Sequence, residues 1–275
     1  MKEKLTGLLI VNNCYTSPDF EACFVMLIEE FEKIGIEVLI TPNKEFTVSL
    51  QKTRRSKKTF ALFWDKDVLY AEKLGFLRIP CFNDAEAVRL CDDKLLATLH
   101  LSQACVPVPN TIAAPFIYAN IGYRDYDFIN NKLDFPLVVK SVNGSLGEQV
   151  FIARNCTEAI RFIKQIFPAR AVLQEYIPGD DIRVFVVGNK ALGAMARAPY
   201  RKYGADKLIF DTAVAAARAV GCDFAGVDIM VKDGKPYVLE VNSAALFNKF
   251  YNVTGINPAQ YIAEYVKTTL SRNGL

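Results

Sequence analysis

Residues Gly226 to Asn242, GVDIMVKDGKPYVLEVN, constrain this chain more than any other stretch. Apolar and polar residues alternate on both sides of Lys232-Asp233-Gly234, the pattern of two strands joined by a tight turn. A three-residue loop, with Gly234 at the positive-φ position of a G1 bulge, fits these residues. That loop pairs Val231 with Lys235 and Asp228 with Val238. It gathers Val227, Ile229, Val231, Tyr237, Leu239 and Val241 on one wholly apolar face. The other face carries Asp228, Met230, Val238, Glu240 and Asn242. A two-residue Asp-Gly turn shifts the register by one and scatters the acids over both faces, so the three-residue loop is the better reading. Asp228 and Glu240 are then diagonal neighbours, about 7–8 Å apart at the backbone. Left unpaired at about 6 Å they repel by roughly 3 kcal/mol at an effective dielectric of 20. From the hairpin alone, a divalent cation held by oxygen ligands and a surface hairpin whose acids face water stand even.

At 275 residues the chain has room for two domains, or for one large domain with a substantial core. An apolar fraction of 51% places it among folded globular proteins. A net charge of +3 is too small to indicate nucleic acid. The one basic run, Lys52 to Lys58, reads as a solvated loop. No segment approaches the roughly 20 apolar residues of a membrane span, so no membrane association is expected. Leu5 to Val11 is too short for a signal-peptide core and continues into strand-like sequence. Seven scattered cysteines without a CxxC pair read as reduced thiols in a cytoplasmic protein. The single histidine, His100, falls within an expected helix and is assigned no role; one histidine rules out His-triad zinc sites, and Ser-His-Asp hydrolysis centred anywhere else.

The first third alternates strand and helix: strand Leu5–Val11, helix Asp19–Ile34 stopped by Gly35, strand Glu37–Ile40, strand Phe60–Trp64, helix Lys66–Leu74 and strand Ile79–Cys81. This is the pattern of a small parallel α/β unit. Asn12-Asn13-Cys14-Tyr15 after the first strand offers no GxGxxG, so dinucleotide binding is not expected there. Asp92–Ala104 reads as a helix with Asp92 as N-cap, ended by Val106-Pro107-Val108-Pro109. Residues 115–134 are aromatic and irregular, a loop excursion. The remainder is strand-rich and mostly antiparallel, with helices at Thr157–Phe167, Ile209–Val220 and Pro258–Ser271.

Pro136 to Lys140 is an apolar strand ending in a lysine, followed by Asn143-Gly144-Ser145-Leu146-Gly147-Glu148 and the strand Val150-Phe151-Ile152. Such a glycine-serine loop can present backbone N–H groups to phosphate oxygens, with Lys140 adding a point charge. By itself it is more often an ordinary turn. Val172 to Ile177 is a strand stopped by Pro178-Gly179, which leaves backbone groups past its end for a purine edge. Alternation from Asp181 to Val186 puts Asp181 and Arg183 on one face, as a salt-bridged rim or as contacts to ribose and phosphate.

In this order, the lysine-ended strand, the glycine loop, Gln174-Glu175-Tyr176, Asp181-Ile182-Arg183 and the GVDI…EVN hairpin resemble the ATP-grasp superfamily. Within it, the RimK-like α-L-glutamate ligase branch is the closest likeness, from roughly Asp92 to the C-terminus. The resemblance implies an α/β Rossmann-like (pre-ATP-grasp) domain over residues 1–90, then an α+β ATP-grasp fold over residues 91–275. The latter would have a small lid subdomain at about 106–175 and a metal-binding subdomain at about 176–275. It also implies roles. Lys94 and Lys140 contact ATP phosphates, and residues 143–149, with Ser145, Leu146 and Gly147 at their centre, form a lid. Gln174, Glu175, Tyr176 and Ile177 bind adenine, mainly through backbone groups, and Asp181 lies near the ribose. Arg183 and Arg197 are catalytic, stabilising transferring phosphate and acylphosphate charge. Asp228, Glu240 and Asn242 hold Mg²⁺, or Mn²⁺ in its place, which agrees with the hairpin.

Two departures stand out. The branch has an arginine–asparagine segment and paired glycines after the strand ending here at Arg197, whereas this chain has only Ala198 to Gly204. Arg201 or Lys202 is then the substitute to examine. After Asn242 the branch continues with a Ser-Pro-Gly turn, where this chain has Ser243-Ala244-Ala245-Leu246. The implied activity is an ATP-dependent carboxylate–amine ligase, acting on small-molecule or peptide carboxylates and amines through an acylphosphate and releasing ADP and phosphate. The alternative is an altered nucleotide-binding module acting as a sensor or partner-binding protein. A nucleic-acid partner is not expected, and a homo-oligomer is left open. The aromatic clusters Tyr118–Phe128 and Phe247–Tyr251 are read as packing.

Overall fold

The computed structural model describes residues 5–14, 17–46, 59–116, 129, 133–144, 147, 149–272 and 274. The expected basic loop at 52–58 and the aromatic stretch 118–128 lie outside them. The first apolar run forms β1 (Thr6–Val11), followed by α1 (Pro18–Lys33), β2 (Glu37–Pro42), β3 (Thr59–Trp64), α2 (Val68–Phe76) and the short β4 (Cys81–Phe82). These strands pair in parallel in the order β2-β1-β3-β4. Parallel neighbours need a crossover, which α1 supplies between β1 and β2 and α2 between β3 and β4. α1 begins at Pro18, whose fixed φ suits a first turn, and ends before Gly35, which takes the left-handed conformation at φ 77°.

Two helices, α3 (Ala85–Asp92) and α4 (Lys94–Gln103), lead out of this sheet. The single helix expected from Asp92 is therefore two, and its N-cap moves by one residue. Asp92 closes α3, while Asp93 is extended and accepts hydrogen bonds from the Leu95 and Leu96 N–H groups. A residue still inside one helix cannot take the extended cap conformation of the next.

The second sheet is antiparallel, in the order β5-β8-β6-β7. It comprises β5 (Thr111–Ala113), β6 (Leu137–Ser141), β7 (Val150–Ala153) and β8 (Ala171–Glu175), and α5 (Cys156–Ile166) packs on one of its faces. The third sheet runs β11-β10-β9-β12-β13. Its strands are β9 (Asp180–Val187), β10 (Lys190–Arg197), β11 (Tyr200–Tyr203), β12 (Phe224–Lys232) and β13 (Lys235–Asn242). Helix α6 (Lys207–Ala219) covers one face, and α7 (Asn248–Thr254) and α8 (Pro258–Arg272) cover the other. The core beneath α7 and α8 is continuous with that of the first sheet. Trp64 stacks on Phe224 with ring centroids 5.1 Å apart and meets Phe247 edge-on at 5.9 Å. Phe247 and Phe250 are buried in this core, as expected, while Tyr251 is exposed.

The β12–β13 hairpin forms, but with a different turn. Lys232 pairs with Lys235, and Val231 with Pro236 in place of Lys235. Asp233 and Gly234 make a two-residue turn with φ 50° and 73°, the both-positive pattern of type I′. An extra residue then enters β13: Ile229 opposes Val238, the next pair is Asp228 with Glu240, and Leu239 opposes nothing. This bulge adds a second one-residue shift to the one the short turn imposes, and two shifts return the side chains beyond it to their expected faces. Asp228 and Glu240 still share a face, now as directly opposed residues and not as diagonal ones. Val238 joins Val227, Ile229, Val231 and Val241 in the core, and Tyr237 and Leu239 leave it.

Candidate active site

A cavity of about 410 Å³ is walled by residues of the second and third sheets. Val138 and Lys140 come from β6, Val150 from β7, and Gly144 and Gly147 from the loop between them. Gln174 and Glu175 end β8, and Tyr176 and Ile177 follow it. The third sheet adds Asp181, Arg197, Asp228 and Met230, then Leu239 and Glu240 beside the bulge. Lys94, the first residue of α4, completes the wall. Thus the sequence-expected Lys94, Lys140, Gly147, Gln174 to Ile177, Asp181, Arg197, Asp228 and Glu240 meet at one place. Arg183 and Asn242 do not line the cavity but touch Asp228. Ser145 and Leu146 lie outside the described residues.

Asp228 is the electrostatic centre. Arg183 stands opposite it on β9 and grips it with two hydrogen bonds, Nε to Oδ1 at 2.7 Å and Nη2 to Oδ2 at 2.8 Å. Arg197 reaches Oδ2 through Nη1 at 2.8 Å and holds Asp181 Oδ1 through Nε at 2.8 Å. Asn242 Nδ2 adds a longer contact to Oδ2, 3.3 Å. Burial alone disfavours the Asp228 charge, but the Arg183 and Arg197 guanidiniums outweigh it and hold its carboxyl below the usual range. Burial likewise works against the Arg183 charge, yet Asp228 holds that guanidinium above its ordinary value. Gly226 leaves the space this arrangement needs: a Cβ there would fall 3.2 Å from Arg183 Cδ and 2.6 Å from Ala245 Cβ.

The two lysines are buried. Lys94 Nζ donates to Gly144 O at 2.5 Å and lies 3.3 Å from Glu240 Oε1. Lys140 Nζ donates to Gln174 Oε1 at 2.9 Å, and Gln174 Nε2 in turn donates to Thr111 Oγ1 at 2.9 Å. Burial pushes the Lys140 ammonium down to about 8, against the opposing pull of Glu240. The Glu175 N–H, expected to serve a base, is already taken by Asn110 O at 2.8 Å. Arg201 and Lys202 lie exposed on β11, at the sheet edge, and neither lines the cavity.

The apolar wall of Val138, Val150, Met230 and Leu239 was not foreseen. Strand alternation from Lys140 points to Val138, and alternation from Asp228 to Met230. Leu239 reaches the cavity only because of the bulge.

The RimK-like ATP-grasp domain family matches residues 91–266. The probable alpha-L-glutamate ligase 2 of Shewanella baltica (strain OS195) is 34% identical over 208 residues, covering 69% of this chain and 67% of the relative. The glutamate–LysW ligase ArgX of Sulfurisphaera tokodaii is 30% identical over 217 residues, 70% of this chain and 75% of the relative. Among solved structures, the RimK domain protein ATP-grasp from Sphaerobacter thermophilus superposes with a TM-score of 0.77 at 20% identity, covering 95% of this chain and 99% of that one. D-alanine–D-alanine ligase from Bacillus anthracis, complexed with ATP, gives a TM-score of 0.74 at 21% identity, covering 98% of each chain. With the motif order, the cavity and these likenesses in agreement, the chain has the ATP-grasp fold and belongs to the RimK-like ATP-grasp family.

Proposed function

We propose that this protein is an ATP-dependent ligase that joins a carboxylate to an amine through an acylphosphate and releases ADP and phosphate. The observation that carries this is the convergence on one cavity of Lys94, Lys140 and Arg197 with Asp228 and Glu240. Cations for phosphate oxygens stand beside hard oxygen ligands for a divalent ion. Relatives named as ligases over about two thirds of their length favour turnover over a nucleotide-binding module that senses or recruits.

Lys94 and Lys140 neutralise phosphate charge, and residues 143–149 cover it. Val138, Val150, Met230 and Leu239 give the base apolar walls, Gln174 to Ile177 edge it, and Asp181 serves the ribose. Asp228, Glu240 and Asn242 are the donor set for Mg²⁺, with Mn²⁺ as a substitute. Among the described residues no cluster of three acidic, histidine or cysteine side chains occurs. Two carboxylates and an amide oxygen still fit magnesium, which takes few protein ligands and completes its shell with water and phosphate. When bound, the ion supplies charge neutralisation and orientation of the phosphates. Both Asp228 oxygens already accept guanidinium hydrogen bonds. Oδ1 accepts one of these bonds and Oδ2 the other two, so Oδ1 keeps a lone pair with which it would serve a cation while both arginines stay in contact. Arg197, the more exposed of the two and the one that lines the cavity, would meet the substrate carboxylate or the transferring phosphoryl group. Phosphoryl transfer asks mainly for positioning and charge neutralisation, so His100 in α4 needs no part in it.

The same proposal takes residues 1–90 as a Rossmann-like leading domain and residues 91–275 as the ATP-grasp unit, with lid and metal-binding parts meeting near residue 175. Substrates are small-molecule or peptide carboxylates and amines, and the setting is the cytoplasm. Seven free cysteines agree with that setting, and no described helix is long and apolar enough to cross a membrane. A coupled ADP-release screen of amino acids and short peptides with ATP and Mg²⁺ tests it. ADP production that needs both an acid and an amine supports the ligase. Nucleotide-dependent thermal stabilisation without ADP across the whole panel favours the binding module.

A further inference from the structure

Asn83 sits in the link between β4 and α3, in the leading sheet and more than a hundred residues from the β12–β13 hairpin. It is fully buried, and its side-chain amide makes four hydrogen bonds, all to main chain. Oδ1 accepts from the Asp223 N–H at 2.6 Å and the Phe224 N–H at 3.2 Å. Nδ2 donates to Phe224 O at 2.9 Å and to Ser243 O at 2.8 Å. This is the full capacity of a carboxamide.

The position of these contacts matters. The β12–β13 ladder ends where Gly226 pairs with Asn242. Beyond that pair Asn83 bridges the two strands, from Phe224 on one side to Ser243 on the other, in place of a missing rung. Ser243 follows Asn242, whose Nδ2 lies 3.3 Å from both Gly226 O and Asp228 Oδ2. Apolar packing such as Trp64 on Phe224 holds this region together, but it is not directional. Four satisfied hydrogen bonds away from water are.

We propose that Asn83 is a positioning residue: it clamps the open end of the β12–β13 hairpin and so fixes Asn242, with Asp228 and Glu240, in the arrangement that a metal–nucleotide complex requires. The inference rests on the ligase reading above. The Asp223 turn has a second anchor in Tyr265, whose hydroxyl donates to Asp223 Oδ1 at 2.7 Å. Loss of the clamp therefore loosens the hairpin end without releasing the turn.

The test uses the full-length protein and Asn83→Asp, which keeps an acceptor for the Asp223 and Phe224 N–H groups and removes both donations. The probes are free Mn²⁺, followed by its paramagnetic signal, and AMPPNP. The expected result is an Mn²⁺ affinity in the presence of AMPPNP at least about tenfold weaker (roughly 1.4 kcal/mol). The affinity for AMPPNP without divalent ion should change by less than about twofold. Leu74→Ala, which hollows the core beneath α2 far from the site, should lower Tm and leave the Mn²⁺ affinity alone. If Asn83→Asp does not fold, Asn83→Ser makes the same comparison. An unchanged Mn²⁺ affinity in the Asn83 variant, or an equal loss in Leu74→Ala, makes Asn83 merely structural and overturns the inference. A wild-type protein that takes up no Mn²⁺ with AMPPNP overturns the ligase reading itself, and the inference with it.

Discussion

Asp228→Asn exchanges one oxygen for nitrogen and removes one negative charge with almost no change of shape. Three guanidinium hydrogen bonds end on that charge, at 2.7, 2.8 and 2.8 Å. Taking one partner from a buried ion pair costs about 3–5 kcal/mol, because the other charge is left uncompensated. Arg183 loses its ionic partner, but Arg197 keeps Asp181 and the new amide oxygen still accepts a guanidinium hydrogen bond, so the lower end of that range, about 3 kcal/mol, is expected. At about 2.1 cal/mol/K per residue, the unfolding entropy of a 275-residue chain is roughly 0.6 kcal/mol/K. Tm should therefore fall by about 5 °C at neutral pH, besides the loss of ADP release. The effect has a definite pH dependence. The Asp228 carboxyl is held below the usual range in the folded protein. Its contribution is present above the unfolded value, about 3.9, and disappears as pH falls through the folded value. Scanning calorimetry of both proteins should show curves that separate above about pH 4 and converge below it. Adding Arg183→Met to Asp228→Asn should recover most of the lost Tm and none of the turnover. A single variant melting with the wild type at pH 7 would refute the charge account.

In the proposed function Lys140 meets phosphate as a cation, and burial pushes its free value down to about 8. ATP affinity should thus weaken as pH rises past 8, and Lys140→Arg, charged throughout, should flatten the profile in titrations between pH 6.5 and 9.5. Gly179→Ala should cost at least about 1–3 kcal/mol, since its Cβ would lie 2.2 Å from Val231 O, a backbone atom that cannot rotate away; a urea midpoint equal to wild type contradicts this. Deleting Leu239 removes the unpaired residue and leaves Asp228 opposite Glu240, so ADP release should persist while the KM for ATP rises with the loss of one apolar wall of the cavity. A deletion protein without ADP release would mean that the bulge itself, and not only the Asp228–Glu240 pairing, sets the site.

The residues of the site were legible as chemical types in a fixed order: a lysine closing an apolar strand, a strand cut off by Pro178-Gly179, acids alternating with valines. Their mutual placement was less so. Lys232-Asp233-Gly234 suits a two-residue turn as well as a three-residue one. What decides is that Val238 and Val241, an odd spacing apart, both fit the core under β12. Asp92 and Asp93 are equivalent caps on paper until α3 claims the first. Asn83 is a single amide in a short loop, with no periodic pattern to announce partners near residues 223 and 243. The edge strand β11 and helix α7 escaped because each is short and owes its form to neighbours far along the chain.

The charges lining the cavity nearly cancel: Lys94, Lys140 and Arg197 stand against Glu175, Asp181, Asp228 and Glu240, and Arg183 behind Asp228 offsets the remaining one. Such a surface casts little field beyond its mouth, so it cannot draw polyphosphate from a distance as a cationic funnel does. Nucleotide capture here should depend on collision and local fit, and its bimolecular rate should change little between dilute buffer and strong salt.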